Sequence, residues 1–109
     1  MKLTVKIYSG INEPEAFDIF ATEKGCSFIL DGIEREPGLD AADLAKWLYD
    51  EFQRRSPWDA YRRPALWRKL CDFASVVIPD SRERVRRDNE GFSLSTALAD
   101  KGFIVYDYR

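Results

Sequence analysis

Between residues 2 and 8 polar and apolar side chains alternate, with Leu3, Val5 and Ile7 facing one way and Lys2, Thr4, Lys6 and Tyr8 the other. A two-residue period of this kind predicts a half-buried strand. Residues 9–15 contain Gly10, Asn12 and Pro14 and read as a loop. Two apolar-rich runs, 16–22 and 26–31, then flank Glu23-Lys24-Gly25. They predict a hairpin with a three-residue connection, its glycine suited to a G1 bulge. Asp31-Gly32 predicts a second tight turn into a short strand over 33–35, which Pro37-Gly38 ends.

From residue 40 the period changes. Asp40 is placed to cap a helix, with Asp43 in its first turn and Leu44, Trp47, Leu48 and Phe52 on one stripe. Asp50 and Glu51 each precede an arginine, Arg54 and Arg55, by four positions. Ser56-Pro57-Trp58-Asp59 reads as a second helix start, interrupted at Arg63-Pro64 because the residue before proline is pushed out of the α region. A third helix is predicted from Pro64 to about Val77. Leu66, Leu70, Phe73 and Val77 run along one side, with Trp67, Cys71, Ala74 and Ile78 beside them, a stripe wide enough to imply a mostly buried helix. Residues 81–88 are nearly all charged and fit either a short exposed helix or a loop. Ser93 or Ser95 caps a short helix through Ala99 that Gly102 stops, and the β-branched and aromatic run 103–108 predicts a final strand returning to the sheet.

The 109 residues fit one domain with a single core, and 45% hydrophobic against 33% charged residues is the balance of a globular chain. The N-terminal residues lack the continuous apolar run of a signal peptide, and no run approaches a membrane span, so a cytoplasmic protein is expected. Cys26 and Cys71 fit no metal-ligand or redox spacing and read as reduced thiols, with a disulfide between them as the alternative.

Charge is uneven along the chain. Residues 1–51 carry 5 basic and 11 acidic side chains, net −6, whereas residues 52–88 carry 10 and 5, net +5. A field of this kind steers charged partners.

Chemistry is harder to find. There is no histidine, which removes the usual general base and the commonest metal ligand. Glu13, Glu15, Asp18, Glu23, Asp31, Glu34 and Glu36 offer oxygen ligands but match no calcium loop, and neither a P-loop nor a GxGxxG turn occurs. Cys26 follows Lys24, whose ammonium would favour a thiolate, but no catalytic partner accompanies it. Arg54, Arg55, Trp58, Tyr61, Arg62, Arg63, Trp67, Arg68 and Lys69 interleave cations with aromatics, the composition used for phosphate contact and stacking and equally for protein interfaces.

The pattern therefore predicts an α+β domain over residues 1–109. An antiparallel sheet of three to five strands, drawn from both chain ends, is covered on one face by three to four helices between residues 40 and 100. The expected activity is non-enzymatic binding of another protein or a nucleoprotein complex, without a cofactor. Arg54, Arg55, Trp58, Tyr61, Arg62, Arg63, Arg68 and Lys69 are the candidate contacts. Small inhibitors, immunity proteins and phage-encoded antagonists such as anti-CRISPR proteins share this size and acidity, by analogy alone. Nucleic-acid binding through residues 54–69 is the alternative reading, and a small enzyme with a thiol or carboxylate site is the third.

Overall fold

A computed structural model describes residues 2–7, 15–22, 25–30, 33–35, 40–55 and 60–108, with side chains at 4–6, 40–54 and 60–106. The chain is α+β. Strands β1 (Lys2–Ile7), β2 (Glu15–Thr22), β3 (Gly25–Leu30) and β4 (Ile33–Arg35) come first. Helices α1 (Ala41–Arg55), α2 (Arg63–Val77), α3 (Ser81–Asn89) and α4 (Leu94–Asp100) follow, and strand β5 (Ile104–Tyr108) comes last. The strands pair antiparallel in the order β4-β3-β2-β1-β5.

The alternation in β1 is used as its period dictates. Val5 is fully buried, and opposite it Val105 packs against the same core. On the other face Lys6 lies over the ring of Tyr106 at 5.2 Å, and Ile104 and Tyr106 stay exposed. In the first hairpin Thr22 pairs with Gly25, so two residues separate the strands. This corrects the expected three-residue connection: Gly25 is the first residue of β3 instead of the last of a turn.

The core lies between α1 and α2 and extends through α4 to the start of β5. Leu44, Leu48 and Phe52 of α1 and Leu66, Leu70, Phe73 and Ala74 of α2 are fully buried. Leu98 of α4 and Phe103 join them, and the Phe73 and Phe103 rings meet edge to face at 5.7 Å. The Asp40 carboxylate accepts from the Asp43 amide at 2.8 Å, which caps α1 as expected. Arg54 pairs with Glu51, three residues back, rather than with Asp50.

The predicted helix start at Ser56 to Asp59 lies outside the described residues; Ala60 to Arg62 form a turn, and the helix proper begins at Arg63. Proline is tolerated in the first turn of α2 because its missing N–H has no intrahelical acceptor there. Ser93 occupies the N-cap position of α4, but its hydroxyl meets those of Ser95 and Thr96 instead of a backbone amide. Gly102, at φ +87, turns the chain out of α4 into β5.

The charged stretch after Pro79 is a helix, α3, that buries no residue. Local bonds hold it. Asp80 caps it by accepting from the Glu83 amide at 2.9 Å, and Arg86 bridges Glu83 and Glu90. Arg87 ties it to the body by donating to the Val76 carbonyl and stacking over the Phe92 ring at 4.2 Å.

Two outcomes follow from this packing. Phe73→Ala, which opens a cavity in the centre of the core, should cost roughly 3–5 kcal/mol in chemical denaturation. Arg87→Ala should leave global stability nearly intact while raising amide exchange in α3 alone, by about 1–2 kcal/mol of local opening. Unchanged protection in α3 would show that something other than Arg87 anchors it.

Candidate binding surface

The described part of the predicted basic and aromatic segment spans the end of α1, the turn before α2 and the first turns of α2. Arg54, exposed in the last turn of α1, is engaged with Glu51. The side chain of Arg55 and all of Trp58 lie outside the described residues. Tyr61 stands in the turn before α2, 80% exposed. Arg62 is half-buried at the N-cap position, and Arg63 opens the helix, exposed. Because α2 has no acid in its first turn, the cationic side chains and the positive end of the helix dipole reinforce one another there.

Further along α2 the cluster divides. Arg68 is exposed and has no ion-pair partner among the described residues. Lys69 is half-buried and turned the other way, its ammonium 5.6 Å from the centre of the Phe103 ring. It covers the entry to β5, so the basic residues adjacent in sequence do not form one patch. Sequence spacing missed this because Phe103 is remote along the chain.

Trp67 corrects the expectation of a mostly buried helix. It is 41% exposed, off the flank of the buried stripe, and its ring meets that of Tyr49 edge to face at 5.5 Å. Tyr49 is half-buried on α1 and was no candidate from sequence, since it stands one position off the Leu44, Leu48, Phe52 stripe. An edge-to-face pair of this kind contributes about 0.5–1.5 kcal/mol beyond the area it buries. Arg63 and Cys71, four residues either side of Trp67, share its side of α2.

Cys71 is a free thiol packed against the core, but only partly buried. Burial, and secondarily the Asp72 carboxylate, push its pKa up. A nucleophilic cysteine needs the opposite shift. Among the described residues no three His, Cys, Asp or Glu side chains gather as a metal site, and no helix is long and apolar enough to cross a membrane.

No protein-family model matches the chain, and comparison with curated proteins and with solved structures finds no significant match.

The raised pKa sets a measurable rate. In the folded chain at neutral pH, alkylation of Cys71 should be slower than in the denatured chain, and its rate should go on rising with pH beyond the ordinary thiol range, where the denatured chain has levelled off. Site-resolved mass spectrometry of iodoacetamide labelling reads this directly; folded-state labelling as fast as the denatured rate at neutral pH would contradict it.

Proposed function

We propose that this protein is a non-enzymatic binding module that recognises another macromolecule, in the first instance a protein, through the side of the α1/α2 pair that carries Tyr49, Trp67 and Arg68. Tyr61 and Arg63 stand at its margin. In this reading the sheet from both chain ends is a platform, covered on one face by the helices between residues 40 and 100. An inhibitor or antagonist that works by occupying a partner's surface needs no more chemistry than this.

The observation that carries the reading is Trp67, a large apolar ring left at the surface and packed edge to face against Tyr49. Tryptophan, tyrosine and arginine dominate interface energetics because each combines large contact area with a polar handle. A ring already packed against a neighbour in the free protein loses less entropy on binding. The exposed Arg68, which has no ion-pair partner among the described residues, favours a partner with a carboxylate at its contact.

Nucleic-acid binding has one observation in its favour, the exposure of Tyr61 beside Arg62 and Arg63. Against a polyanion stand Asp72 on the same helix and a net charge of −2.

The test is affinity capture at moderate salt with the wild-type chain and with Trp67→Ala/Arg68→Glu as paired baits. The wild type should retain a stoichiometric protein that the variant loses, with affinity reduced about a hundredfold or more. Identical recovery on both baits would sink the proposal. Recovery of nucleic acid alone, falling steeply with salt and lost in Arg62→Ala/Arg63→Ala, would replace it with the alternative.

A further inference from the structure

The helix α3 poses a separate question. It contributes no residue to the core, yet a cap, a ladder of ion pairs and the Arg87 anchor hold it in place. Glu83 and Arg87 are the residues turned toward the body, and they pair with each other at 3.7 Å. At about 100° per residue, Val85 stands opposite both. It is 61% exposed. Arg82 and Arg84 flank Val85 on its two sides, and Asp88 lies beside it. All three charges are exposed, and none forms an ion pair among the described residues.

The outward side of α1 carries the reverse pattern. Asp43, Lys46 and Asp50 are exposed along one flank of the half-buried Trp47, and again none of the three forms an ion pair among the described residues. Asp43 and Asp50, seven residues apart, stand nearly one above the other about 10.5 Å along the helix axis. Arg82 and Arg84 project from opposite flanks of α3, so their heads are separated by roughly one helix diameter, about 10 Å. The two spacings agree when the helices cross.

We propose that α3 of one molecule docks across α1 of a second copy of this chain. Arg82 and Arg84 meet Asp43 and Asp50, Asp88 meets Lys46, and Val85 packs on the exposed edge of Trp47. A second copy is the occupant because the chain itself supplies a helix face that answers α3 sign for sign, with an apolar residue, Val85 on one and Trp47 on the other, next to the charges. The contact does not use the Trp67 surface, so the two readings stand or fall separately. One helix crossing another is at the small end of specific interfaces, so the association is weak, concentration-dependent and sensitive to salt.

Sedimentation velocity on the full chain, from about 20 to 500 μM in low and high salt, tests the contact. Association should appear at low salt and weaken about tenfold or more above roughly 0.5 M salt. Arg82→Glu/Arg84→Glu should abolish it. Glutamates in the first turn suit the dipole of α3, so circular dichroism should show the helices retained. Asp43→Asn/Asp50→Arg should abolish it too, and an equimolar mixture of the two double variants should associate, because each retains the half the other has lost. Val85→Asp, at an exposed position, is the further check and should also dissociate the copies, whereas Trp67→Ala should not. A wild-type chain that stays monomeric over this range at low salt overturns the proposal. So does association indifferent to both double variants, or a mixture that fails to restore it. A monomeric chain whose α3 amides respond only to an added DNA duplex would give that face to nucleic acid instead.

Discussion

The contact between α1 and α2 is the constraint on which the rest of the molecule depends. Leu44, Leu48 and Phe52 on one helix and Leu66, Leu70 and Phe73 on the other are fully excluded from water, and each such side chain contributes about 1.5–3 kcal/mol. Helices this short are marginal alone, so neither would persist without the other. Among the described residues, elements at the chain ends join this pair. Val5, Leu98 and Phe103 extend the same apolar cluster.

That arrangement decides what is left at the surface. A helix pair buries a stripe on each partner, and an apolar residue just off the stripe is held at the boundary. Trp67 and Tyr49 occupy that position and satisfy one another by ring contact. Lys69, on the opposite flank, is drawn over Phe103 and becomes part of the packing. The same run of sequence thus divides into residues that finish the fold and residues that remain available to a partner. The electrostatics of α3 follow a different rule. The Arg86 hydrogen bond, with the charges of Arg86 and Arg87, holds the Glu83 carboxyl below the usual glutamate range. The acid therefore stays ionised, and its own pairs with Arg86 and Arg87 persist, until pH falls below that range.

Local signals in the sequence were the legible ones. Asp40 as a cap, the Leu44, Trp47, Leu48, Phe52 stripe and the alternation behind the strand Lys2–Ile7 each depend on neighbours a few residues away, and the structure has them, with Trp47 alone of the stripe half-buried. Gly102 as the stop of α4 belongs with them. The width of the buried face of α2 was not legible, because periodicity reports which side of a helix is apolar but not how far its partner reaches around it. Trp67 was misplaced for that reason, and Tyr49 was overlooked. The charges of α3 fitted helix or loop equally well, since the contact of Arg87 with the Val76 carbonyl and Phe92 ring is tertiary. Of the candidate contacts, Arg63, Arg68 and Tyr61 are exposed where a partner could reach them, while Lys69 was claimed by a contact across the fold.

The position of β1 between β2 and β5 has a kinetic side. One of its edges is paired with a strand only a short loop away, but the other pairs Lys2 with Tyr108 and Val5 with Val105, across nearly the whole chain. Closing so long a loop is entropically slow, whereas the α1/α2 pair joins helices separated by a handful of residues. During synthesis the helical hairpin can therefore collapse while the second edge of β1 still waits, unpaired, for β5.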